Sequence, residues 1–68
     1  MNNNDSQNLK QVEYILIKMA QAKEKKAIES QKANDFAAAG DYWHEIGGHE
    51  EDANRCWDAA DELYKKAA

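Results

Sequence analysis

The residues best suited to chemistry lie in one short run, His44-Glu45-Ile46-Gly47-Gly48-His49, with Asp41 before it and Cys56 after it. A His-Glu-x-x-His motif binds zinc because histidines at i and i+4 share one face of a helix. Here the histidines are separated by i, i+5, and two adjacent glycines stand between them. Glycine pairs end helices, so the two imidazoles are expected to point in different directions. A looser set of Asp41, His44, His49 and Cys56 lacks the compact ligand spacing of structural zinc sites. The expected roles are surface histidines beside a turn and a small buried thiol. Burial and the nearby Glu51, Asp52 and Asp58 both disfavour a Cys56 thiolate. Ser6 and Ser30 have no patterned base, and there is no glycine-rich phosphate loop. The chain is therefore expected to be no enzyme and to hold no metal or cofactor.

The elements that would position these residues are helices. Ala53, Cys56, Trp57, Ala60, Leu63, Tyr64 and Ala67 recur at i, i+3, i+4, which places them on one helical face. Glu50, Glu51 and Asp52 open this segment and Lys65 and Lys66 close it, as the helix dipole prefers. Glu51–Arg55, Asp61–Lys65 and Glu62–Lys66 stand at i, i+4 in the favourable orientation. The spacing predicts a helix over 49–67. Upstream, residues 9–39 contain neither Gly nor Pro and are rich in Ala, Lys, Glu and Gln, a composition that favours helix throughout. Gly40 does not by itself break a helix, and its missing side chain suits close approach of another. Gly47-Gly48 then ends the helix and sets up a hairpin.

The expected fold is all-α, a helical hairpin with a long N-terminal helix. Residues 1–7 are expected to be a disordered lead-in and residues 8–68 one helical domain. In the long segment Tyr14, Ile17, Ile28, Phe36, Ala39, Trp43 and Ile46 cluster on one side at 100° per residue. Leu9, Val12, Ile15, Leu16, Met19, Ala20 and Ala22 form a second stripe, mostly on the other side. A final helix of about 18 residues is roughly 27 Å long and, folded back from Gly48, reaches only about residues 28–46. Residues 9–22 are then left uncovered. One solution is a further break, near Asn34-Asp35 or the run 23–26, giving a three-helix bundle. The other, which the absence of breakers favours, keeps the helix continuous and packs residues 9–22 on another chain.

Length and charge bound the partners. At 68 residues there is room for one domain, whose small core needs a staple. Cys56 is the only cysteine, so no intramolecular disulfide supplies it, and oligomerisation, most simply a dimer, is the remaining route. No apolar run is long enough to cross a membrane, and the start lacks the regions of a signal peptide, so a cytoplasmic protein is expected. The net charge is −4. It is concentrated in residues 38–68, where eight acids face Arg55, Lys65 and Lys66. That half would repel phosphates, which argues against direct nucleic-acid binding and for a protein partner with a basic surface.

Within Gly48-His49-Glu50-Glu51-Asp52-Ala53-Asn54-Arg55-Cys56-Trp57-Asp58-Ala59-Ala60, the turn glycine Gly48 and then Ala53, Trp57 and Ala60 follow the order of the second helix of a tetratricopeptide-like repeat, which this stretch resembles. Phe36-Ala37-Ala38-Ala39-Gly40-Asp41-Tyr42-Trp43 is similar to the first helix of the soluble vesicle-fusion adaptor type. Ala37, Gly40 and Asp41 depart from the repeat consensus, which has a large aromatic, a leucine and a glycine there. The resemblance covers one hairpin, about half the chain, and implies protein binding without catalysis. Repeat units stand in arrays of three or more, so a single one again points to self-association or docking.

The expected function is a small protein–protein interaction module, an adaptor or regulator acting as a homo-oligomer. Its self-association surface would be Leu9, Val12, Ile15, Leu16 and Met19. Its partner surface would be Tyr42, Glu45, Glu50, Glu51, Asp58, Asp61 and Glu62, with Trp43 and Trp57 in the core and Tyr42 exposed beside His44 and Glu45. The alternative is a small acidic inhibitor, of the phage anti-defence kind, that occludes a basic nucleic-acid-binding surface on its target.

Overall fold

The computed structural model describes residues 3–67, with side chains from Lys10 onward. It is all-α over that range: α1 spans Asn3–Ser30, α2 Ala33–Ile46 and α3 Glu50–Ala67. The backbone of residues 3–7, expected as a lead-in, continues α1, and the side chain of Leu9 lies outside the described ones.

The long N-terminal helix is not continuous. It stops at Ser30, just before the Asn34-Asp35 candidate, whereas the run 23–26 lies inside α1. Side-chain chemistry makes the break without Gly or Pro. Gln31 takes the left-handed conformation (φ 56°), its N–H donates to the Ala27 carbonyl at 2.8 Å, and its Nε2 donates to the Ile28 carbonyl at 2.8 Å. The Ser30 hydroxyl donates to Asp35 at 2.5 Å and accepts the N–H of Lys32 at 3.2 Å. Lys32 itself offers no side-chain cap to α2. A non-glycine residue in this conformation costs about 1–2 kcal/mol, which the burial gained by folding α2 back offsets.

α2 is the central element and packs against both neighbours. Ala20, Ala39, Trp43, Ala53 and Cys56 form one buried cluster, with Ile17, Tyr42, Ile46 and Trp57 packed on it. Ala27, Phe36 and Ala60 form a second, nearer the Ser30–Lys32 turn. Alanines on α1 and α3 let the backbones come close, and the rings of Phe36 and Trp43 fill the space between. Gly40 extends this economy. A Cβ placed there would sit 2.4 Å from Cδ1 and Nε1 of Trp57, so α3 lies where only a hydrogen allows it.

The second turn follows the expected chemistry. Gly47 (φ 84°) and Gly48 (φ 75°) both occupy the positive-φ region, and His49 accepts the Ala53 N–H at 3.0 Å to start α3. The Cα envelope is 55 × 19 × 12 Å. α1 has 28 residues and α2 has 14, so α1 runs on past the end of α2 as an overhang about 20 Å long at 1.5 Å per residue.

Candidate protein-interaction surface

The overhang and the turn of helix beside it carry the exposed apolar residues of one flank of α1. Val12 is 54%, Ile15 55% and Met19 45% exposed, while Leu16 is half-buried. Residues at 12, 15, 16 and 19 share one face. Where α2 ends, this face borders a recess of about 290 Å³ lined by Leu16, Tyr42, Glu45 and Ile46. Four of the five predicted self-association residues thus lie together around the end of α2, and the fifth, Leu9, falls outside the described side chains. The expectation that all of them stand free is corrected at Leu16, which leans toward α2.

Tyr42 is not a free surface ring. It is half-buried against the core, its hydroxyl donates to Met19 Sδ at 3.2 Å, and the Lys23 ammonium sits 5.5 Å from its ring centroid. The other predicted partner residues are distributed. Glu45 is exposed at the rim of the recess. Glu50 is exposed at the Gly47-Gly48 turn, 3.2 Å from His44 Nδ1. Glu51, Asp58, Asp61 and Glu62 are exposed along α3, with Glu51, Asp58 and Glu62 on one face at i, i+7, i+11.

The two histidines diverge. His44 lies tilted against Trp57 with centroids 5.6 Å apart, and His49 lies tilted against Trp43 at 5.0 Å, with its Nδ1 3.4 Å from Asp52. Among the described residues no group of three or more His, Cys, Asp or Glu side chains is placed to hold a metal. Cys56 is 1% exposed, and burial, reinforced by the charge of Glu24, pushes its thiol pKa up to about 11.

Glu24 is the residue that helical periodicity misses. Arg55 was expected to pair with Glu51 four residues away. Instead its Nε and Nη2 donate to the two Glu24 oxygens, each at 2.9 Å, and Nη2 also reaches Asp52 at 2.7 Å. Trp43 Nε1 donates to Glu24 at 3.1 Å. The Arg55 hydrogen bonds, helped by Trp43, hold the Glu24 carboxyl below its ordinary pKa despite partial burial, and Glu24 and Asp52 hold Arg55 firmly protonated. This fork ties α1 to α3 across the opposite flank of α1, in a groove that Ile17, Ile28, Trp43 and His49 also line. Among i, i+3 pairs on α3, Lys65 approaches Glu62 at 3.9 Å. A contact between residues 31 positions apart, together with Asp52 three positions back, sets where Arg55 points.

Among the described residues no helix is long and apolar enough to cross a membrane. Comparisons of the chain with protein-family models, with curated proteins and with solved structures gave no match.

Proposed function

We propose that this chain is a small non-enzymatic protein–protein interaction module that docks a partner on the open flank of α1. One observation carries the reading: Val12, Ile15 and Met19 stay about half exposed beside an apolar recess, although the fold already covers the same helix further along. Apolar faces of this kind, rimmed by charge, mark interaction sites. The tetratricopeptide-like order of Gly48, Ala53, Trp57 and Ala60 supports the same role. The inert Cys56 thiol suits the cytoplasm.

A photo-crosslinking amino acid at position 15, introduced in the cell that carries the gene, tests the reading. Protein adducts at position 15 and none at an exposed charged control, position 61, are expected; no adduct at position 15 overturns it. A second reading, an acidic inhibitor, is favoured by the turning-in of Arg55, which leaves Glu51, Asp58 and Glu62 outward on α3. Its binding would collapse at moderate salt, because exposed charges are screened within about 8–10 Å.

A further inference from the structure

Val12, Ile15, Met19, Ala22 and Lys26 step by three, four, three and four along α1, the alternation with which one helix meets another. At 100° per residue they fall within an arc of about 80°, and all five are exposed. Stripes as narrow as this are helix-pairing seams, whereas a core-facing stripe is wider. The seam is about 22 Å long, or four turns, at 1.5 Å per residue. We propose that it takes an acidic amphipathic helix of another protein, an inference that rests on the docking reading and adds the partner's chemistry.

The charge that edges the seam sets that chemistry. In the heptad frame of these residues, Lys18 and Lys25 stand along one edge and Lys23 follows Leu16 along the other. All three lysines are exposed, as is Lys26 within the seam. Among the described residues none of the four forms a salt bridge. Lys18 and Lys23 instead lie over the rings of Tyr14 and Tyr42, at 5.4 Å and 5.5 Å. The acids are placed elsewhere. Glu13 and Glu24 fall on the far side of the helix, with Glu24 held by Arg55. Glu29 stands one turn beyond Lys26, and Glu45 borders the recess beside Leu16. A chain of net charge −4 thus gathers four lysines around one apolar seam.

Those lysines choose between occupants. A second copy would set Lys18 against Lys23 in a parallel pair, and like edge against like edge in an antiparallel one. Lysine meets lysine either way, which selects against self-pairing. A nucleic acid would engage the lysines through its phosphates and leave Val12, Ile15 and Met19 uncovered. An anionic bilayer would need a broader apolar face than this seam, which Lys26 also interrupts. A helix with an apolar seam and Asp or Glu on both edges meets all of these features together. Its apolar side chains cover Val12, Ile15 and Met19, and its carboxylates neutralise Lys18, Lys23 and Lys25. This partner is the reverse of the basic one expected for the acidic half of the chain.

Two fluorescein-labelled three-heptad peptides with the same leucine seam, one edged with Glu and one with Lys, test the proposal when titrated with the full chain and read by anisotropy. The Glu-edged peptide is expected to bind and to weaken as salt rises, and the Lys-edged peptide is not expected to bind. Lys18→Glu, Lys23→Glu and Lys25→Glu combined should weaken the Glu-edged peptide by about ten-fold or more and admit the Lys-edged one, with helicity by circular dichroism unchanged. Equal binding of the two peptides, a preference for the Lys-edged one, or binding of neither would overturn the proposal. So would tighter binding to phosphatidylglycerol vesicles than to the Glu-edged peptide, or a homodimer that Ile15→Glu abolishes. Foreign adducts at position 15 whose linked segment carries basic or uncharged edges would remove the acidic partner and leave the docking reading intact; absence of any adduct would remove both.

Discussion

Replacing Gly40 by alanine sets two opposing effects of known size against each other. Alanine is favoured over glycine within a helix by about 0.8–1.0 kcal/mol, so on propensity alone Gly40→Ala should stabilise α2. The structure reverses the sign. The new Cβ would stand 2.4 Å from Cδ1 and Nε1 of Trp57, about 1 Å inside ordinary contact distance. Either α3 backs away from α2, or the indole swings outward and gives up its 3.1 Å bond to Asp41. Overpacking of this kind costs about 1–3 kcal/mol, and the lost hydrogen bond adds roughly 0.5–1.5 kcal/mol. The net expectation is a loss of about 2 kcal/mol, the middle of the roughly 0.5–3.5 kcal/mol that those terms span after the propensity gain. In a domain this small that lowers the melting midpoint by roughly 5–15 °C. Urea unfolding followed by tryptophan fluorescence, at fixed protein concentration, measures it. The decisive comparison repeats the substitution in a Trp57→Ala background, where the clash is gone and Gly40→Ala should become neutral or stabilising. Unchanged or increased stability of Gly40→Ala in the otherwise native chain would refute the reasoning.

Three further outcomes follow from other contacts. Glu24→Gln should destabilise the fold by about 1.5–3 kcal/mol, as expected for hydrogen bonds to charged groups, measured by urea unfolding at pH 7. Because the folded Glu24 pKa is depressed, its contribution is full above the unfolded value near 4.5 and is lost as pH falls through the lower folded value. The variant should accordingly flatten the acid limb of the stability profile below about pH 4.5. Gln31→Gly should stabilise by about 0.5–1 kcal/mol in thermal unfolding, since relief of the left-handed backbone outweighs the added chain entropy; a destabilised variant would show that the Gln31 side-chain bond to Ile28 dominates. Cys56, with its thiol pKa raised to about 11 and 1% exposure, should resist thiol-specific labelling at pH 7–8 in the native state and react at the rate of a free thiol in denaturing urea.

The parts of the fold legible in the sequence are those with local causes. The α3 face from Ala53 to Ala67 repeats within every turn, and acids at its start and lysines at its end agree with it. The Gly47-Gly48 turn is equally local, because positive φ is a property of the residue itself. Gly40 could be singled out as a place of close approach, although not which side chain would approach. That Val12 and Ile15 stay open was legible from lengths, although the break at Gln31 lets α2 reach back to Met19, which Tyr42 touches, and to Ala20, which it buries.

Elsewhere the cause lies outside any sequence window. Tyr14, Ile17, Ile28, Phe36, Ala39, Trp43 and Ile46 line up on one side only if the helix is continuous. The break at Gln31 resets the phase, so Tyr14 and Ile28 are exposed while Phe36, Ala39 and Trp43 are buried. Nothing in helix propensity marks Gln31. Its conformation is held by Ser30 reaching Asp35 and by the burial that α2 gains when it turns back. Arg55 chose Glu24 over the nearer Glu51 because packing α1 and α3 on α2 brings a second acceptor and the Trp43 donor to one place.

By itself, then, the sequence determined three things about this protein: helices, a glycine hinge, and an N-terminal stripe more apolar than the later helices can fully cover. The first two depend on residues within a turn or two of one another, and the third on helix lengths. The tertiary structure alone decided where the long helix breaks, which acid holds Arg55, and which flank of α1 stays open. The last two depend on side chains 19 to 31 positions apart meeting around α2, and such meetings leave no periodicity in the chain.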